Sequence, residues 1–300
     1  MIQPDTASRV QPADQQPTTA ASTGKTTTIA VIGLVWLAIT LAVGHGTLNS
    51  SAGDVALSTA VLSLPALLQA ALFAGAATGF AVSFSVGRTG LRYGAGVLAG
   101  LGVGVLALAI VLVAYAMPTG AGTALGASLA IAGTLGGALG AVRPAPMIAS
   151  GLLAMTPVLI LGYVIGHFSE ELLRLFGAGG TAASRYSASG YLGFTSALVE
   201  GLFAGLVAFS VLRRSRLKFP AYGLAGALPG LVIGAAELFT RVAAPRLLSL
   251  ATEVSAWDKV VYGLGNGNRT NQALVVFFIG ALTAIIAHGR TLGRSSEERD

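Results

Sequence analysis

Residues 93–116 read Tyr93-Gly-Ala-Gly-Val-Leu-Ala-Gly-Leu-Gly-Val-Gly-Val-Leu-Ala-Leu-Ala-Ile-Val-Leu-Val-Ala-Tyr-Ala116, a stretch with no charged side chain. A bilayer core of about 30 Å needs roughly 20 apolar residues at about 1.5 Å rise each. The run is continuously apolar and does not alternate, so it predicts a spanning helix and not a barrel strand. Seven more such runs lie at 28–44, 61–86, 123–141, 147–168, 190–212, 220–240 and 271–289. The expected fold class is therefore all-α: a polytopic membrane protein of about eight transmembrane helices.

The composition of the 300 residues agrees. It is 54% hydrophobic and 10% charged, with 41 glycines, and its mean hydropathy is +0.76. A soluble domain carries about 25% charged residues. A soluble enzyme is thereby excluded, and so is a nucleic-acid binder, because the cations are scattered between apolar runs and not gathered on one wet face. The main partner is the lipid bilayer. The absence of cysteine rules out disulfides, thiolate metal sites and cysteine nucleophiles. Abundant Ala, Gly, Val and Arg suggest a bacterial source.

Charge asymmetry gives an orientation. With the amino terminus inside, the inner segments carry Arg9, Lys25, Arg88, Arg92, Arg143, Arg213, Arg214, Arg216, Lys218, Arg290, Arg294 and Arg299, against Arg174, Arg185, Arg241, Arg246, Lys259 and Arg269 outside. Both termini are expected in the cytoplasm of a plasma (inner) membrane. Residues 1–26 read as a disordered cytoplasmic tail, 27–290 as one transmembrane domain, and 291–300 as a second cytoplasmic tail.

The run that opens at Tyr93 also has an echo. Arg88 to Gly104 aligns without gaps on Arg214 to Gly230, with shared Arg, Leu, Ala and Gly positions, and Leu72-Phe-Ala-Gly75 is echoed by Leu202-Phe-Ala-Gly205. The expectation is two parallel four-helix repeats, about 27–143 and about 147–290, with a substrate path at their interface. Small residues recur every fourth position at Gly96, Gly100 and Gly104, and again at Gly226, Gly230 and Gly234, a helix-packing pattern.

An ionisable group inside hydrocarbon is expensive, which makes it a functional candidate. Glu200 lies well inside the sixth run. Glu237, near the outer end of the seventh, is spaced to pair with Arg241 one turn later. Gln69 is the approximate counterpart of Glu200 in the first repeat. These three are the candidate proton-coupling or substrate residues. His45, His167, Glu170 and Glu171 form a candidate outer-face polar cluster. The spacing of Leu247, Leu250, Val254, Trp257 and Val261 predicts an amphipathic helix on the outer surface.

No catalytic constellation, metal site or cofactor motif emerges. Gly24-Lys25-Thr26 matches the end of a phosphate-binding loop, but Thr19 stands where its first glycine belongs. The function expected is a permease for a small molecule or ion, proton-coupled through Glu200, and not an enzyme. The alternative is a non-transporting scaffold or envelope-assembly subunit with a membrane-protein partner.

Overall fold

The structure, a computed structural model, describes the backbone of residues 19–50, 54–86, 89–115, 117, 119–215, 217–248 and 256–297. The described residues form nine helices: α1 (Thr19–Asn49), α2 (Asp54–Ser85), α3 (Thr89–Ala114), α4 (Thr119–Gly140), α5 (Ala145–His167), α6 (Ser169–Leu175), α7 (Ala182–Leu212), α8 (Pro220–Leu248) and α9 (Ala256–Glu297). All except the short α6 are long and apolar enough to cross a membrane. The chain is a multi-pass helical membrane protein.

Lipid offers the backbone no partners, so each crossing segment must close its own hydrogen bonds. Thr40, Thr78, Ser128, Thr134 and Thr240 do the same for their hydroxyls, each donating to the carbonyl four residues back. The helices continue through Pro65, Pro157 and Pro229.

Several boundaries differ from expectation. Helix α1 already begins at Thr19 and α9 runs to Glu297, so part of each expected tail is helical. A helix nucleated in the apolar run extends through Ala, Ser and Thr at little cost. Helix α7 starts at Ala182, where Thr181 Oγ1 accepts the Ser184 amide at 3.2 Å. That cap extends the sixth span outward, so Arg185 lies in a helix. Arg92, read as a connecting cation, sits in the first turn of α3 and is buried, its Nε and Nη2 without partners. The expected surface helix is not a separate element: residues 249–255 lie outside the described residues, and from Ala256 onward the segment is continuous with the last span.

Helices α2 and α8 form the centre, whereas α1, α3 and the apolar part of α9 face outward. Phe73, Leu64, Leu67 and Leu68 of α2 are fully buried. Outward stripes such as Leu224, Leu231 and Leu238 on α8, and Leu274, Phe278, Leu282 and Ile286 on α9, supply the lipid-facing surface.

Within each half the same wiring recurs: α1 packs on α2, and α2 and α3 pack on α4, as α5 packs on α7, and α7 and α8 pack on α9. Glycine makes these approaches possible. A Cβ on Gly75 or Gly100 would run into the Gly133 carbonyl of α4, and a Cβ on Gly205 or Gly226 into the Gly280 carbonyl of α9. Gly104 and Gly230 are comparably tight, and a Cβ on Gly96 would stand 2.9 Å from the Gly137 carbonyl. Gly234 is not tight, since its nearest neighbour is Ala273 Cβ at 3.7 Å.

The halves do not meet symmetrically. Helix α2 packs extensively on α8, and a two-fold axis would demand a matching α7–α3 contact, yet α8 instead lies between α2 and α5. Just past the end of α3, Tyr115 Oη donates to the Leu41 carbonyl of α1 at 2.8 Å.

Candidate functional site

A cavity of about 310 Å³ opens where the halves meet, lined from α1, α2, α5, α7, α8 and α9. Two of the three residues expected to matter share it: Gln69 from the first half and Glu200 from the second. Glu200 is 1% exposed, so the cost of its burial has to be met by specific partners.

One partner is Gln272 of α9, whose Nε2 donates to Glu200 Oε2 at 2.9 Å. The other oxygen faces α5, where a Cβ added to Gly162 would stand 3.6 Å from Glu200 Oε1. Gly162 and Glu200 both line the cavity. The half-buried Gln69 adds an amide that can donate and accept. The rest of the lining is mostly apolar: Trp36, Ile39, Val43, Val158, Leu159, Tyr163 and Ile233.

The mouth lies between α1 and α5. Ile39, Val43 and Tyr163 are exposed on the outside of the bundle as well as lining the cavity, and the Trp36 and Tyr163 rings meet edge to face at 6.4 Å. A pocket of this kind, apolar with a few convergent polar groups, is the common form of a small-ligand site.

The third expected residue, Glu237, belongs to a different place. It is 4% exposed and lines a separate recess with Arg241 and Thr270. The expected pairing with Arg241 is present at 3.5 Å, but the closer partner is Arg269 of α9, whose Nε donates to Glu237 Oε2 at 2.9 Å. Arg241 also donates to Thr270 Oγ1. Arg269 and Gln272 are one helical turn apart, so one face of α9 serves both buried carboxylates.

Removing one partner of a buried ion pair leaves an uncompensated charge, which is costly. Arg269→Gln is therefore expected to destabilise the protein by roughly 2 kcal/mol, discounted because Arg269 is partly exposed and Arg241 remains. Adding Glu237→Gln should restore most of the loss. Thermal unfolding of the two single variants and the double variant in detergent checks this, and additive losses would contradict the pairing.

The expected outer cluster is not assembled. His45 bonds to Asn49 at 3.2 Å and packs on the Tyr115 ring at 5.9 Å, while His167 packs on Phe168 at 5.0 Å. Glu170 and Glu171 are exposed in the first turn of α6. Among the described residues no three His, Asp or Glu side chains gather as metal ligands do.

Sequence reasoning missed Gln272, Arg269 and Gly162. Gln272 was detectable as one of two amides, with Asn271, at the start of its apolar run. Arg269 and Gly162 carry no local signal, because their roles depend on which helix lies opposite.

Comparison with models of known families, with curated proteins and with solved structures gives no match for this chain.

Proposed function

We propose that this protein is a permease for a small molecule or ion, with Glu200 as its coupling residue. It would be oriented in a bacterial plasma membrane with both termini in the cytoplasm, as the twelve-to-six cation asymmetry supports. The reading rests on one observation: a polar-centred cavity at the junction of the halves, lined by Gln69, Glu200 and Gln272, with one oxygen of Glu200 held by Gln272 and the other beside Gly162 of α5. Its largely apolar walls suit a substrate with an apolar body and a cationic or hydrogen-bond-donating head. A carboxyl deep in hydrocarbon is costly to ionise, so substrate arrival and proton release at Glu200 are linked.

We also propose that the halves arose by duplication. The matched glycine junctions, Gly75 and Gly100 on Gly133 and Gly205 and Gly226 on Gly280, support this beside the sequence echo. The scaffold reading draws support from the same seams, since a bundle clamped by glycine is rigid along most of its interfaces.

Thermal unfolding of the detergent-solubilised protein against a metabolite and ion library at several pH values separates the two. A true ligand at a hundred times its Kd raises stability by about 2.7 kcal/mol. The expected shift depends on pH and is lost in Glu200→Gln and in Gly162→Leu, which fills the cavity. A shift unchanged in Glu200→Gln removes the coupling role. No shift in any condition turns the search to protein partners.

A further inference from the structure

We propose that the face where α7 ends and α8 begins holds a site for the phosphate of an anionic phospholipid. The site is a cavity of about 830 Å³ between the α7–α8 connection and the end of the last span, presenting Arg213, Arg214, Lys218 and His288. Among the described residues no acidic side chain lines it. The ion pairs among those residues engage Arg241 and Arg269 at the opposite end of the helices, and none engages Arg213, Arg214 or Lys218.

The cations stand on a shaped support. The Arg213 amide donates to the Phe209 carbonyl at 2.8 Å and the Ser215 amide to that of Leu212 at 2.7 Å, closing the turn on the end of α7. Tyr222, 3% exposed, donates its hydroxyl to the Leu212 carbonyl at 3.2 Å. Its ring stacks on His288 at 3.9 Å and 15°, which holds the imidazole in the cavity lining. Arg is suited to phosphate because its planar fork donates two parallel hydrogen bonds.

The rim selects the source of the phosphate. Phe219, 52% exposed, and Phe209 and Leu217 place apolar surface directly beside the cations. A free phosphate has no use for that surface, whereas a phospholipid brings acyl chains to it. Basic pockets between spanning helices are a known form of headgroup recognition. This site is independent of the cavity at Glu200.

The test is the unfolding midpoint of the full-length protein in detergent supplemented with phosphatidylglycerol, phosphatidylcholine or inorganic phosphate. Phosphatidylglycerol is expected to raise the midpoint, while the other two leave it in place. The triple variant Arg213→Gln, Arg214→Gln, Lys218→Gln should bind phosphatidylglycerol about 100-fold more weakly, at roughly five-fold per cation. Because those charges also guide insertion, a second variant, Arg213→Lys with Arg214→Lys, keeps the charge and loses the fork; it should bind several-fold more weakly. Arg143→Gln, outside the cavity, should bind as wild type does. An equal response of wild type and both variants to phosphatidylglycerol would overturn the site. A shift reproduced by inorganic phosphate alone would overturn the lipid as its ligand.

Discussion

Gly226→Val is expected to cost roughly 3 kcal/mol, the upper end for overpacking a close-fitted interior, and to leave little folded protein in detergent. A side chain at Gly226 has nowhere to go, because its Cβ would enter the Gly280 carbonyl with Ala284 Cβ 3.0 Å away. Backbone cannot yield as a flexible side chain does. Relief would require α8 and α9 to separate along their length, losing the dispersion contacts that hold helices together where no hydrophobic force acts between them. Gly133→Val should fail likewise in the first half, where its Cβ would stand 2.8 Å from the Gly100 carbonyl and 3.0 Å from Gly104 Cα. Gly102→Val, with nothing within 4 Å of its Cβ, is the control and should remain within about 0.5 kcal/mol. The measurement is the unfolding midpoint with the yield of monodisperse protein. Equal behaviour of Gly226→Val and Gly102→Val would show that the seam is not what holds these helices.

Gly234 shows how far sequence carried the packing. Its every-fourth spacing after Gly226 and Gly230 made it look like part of the seam, yet α9 has diverged from it by that depth and leaves ordinary contact at 3.7 Å. Spacing defines a face, but the crossing angle decides how much of the face is used. For the same reason Gly133 and Gly280, on which both junctions turn, were invisible as partners: nothing local marks the helix opposite. The spans themselves were legible to within a few residues, since hydropathy alone enforces them, except where the Thr181 cap lengthens α7 beyond its apolar run.

The site was half legible in the same sense. Glu200 and Gln69 stood out because polar groups in hydrocarbon are costly, and they do line one cavity. Glu237 stood out for the same reason and is ion-paired, with Arg269 of α9 as its closer partner. Depth and cost select candidates; only the partners distinguish a satisfied charge from one turned toward a cavity.

Whether that cavity holds water is open to a direct test, because the chain has no native cysteine. Gln69→Cys and Thr40→Cys place a thiol in the lining. Ser150→Cys places one in α5, at a position 0% exposed whose hydroxyl already bonds to the Met147 carbonyl at 2.9 Å. Only the thiolate reacts, and an apolar surrounding that raises a thiol by two pKa units cuts its thiolate fraction about 100-fold. A small charged thiol reagent is therefore expected to modify the two cavity cysteines at least about 100-fold faster than the one in α5. Both kinds of position lie within spanning segments, and Ser150 is nearer the end of its own. A permeation cavity must be wet or become wet, since a charged or hydrogen-bonding substrate head could not otherwise exchange partners with Glu200. If Gln69→Cys is as inert as Ser150→Cys, the junction is dry and the permease reading loses its support. Fast modification from one side of sealed vesicles would show which face the cavity serves, and protection by a library ligand would place that ligand beside Glu200.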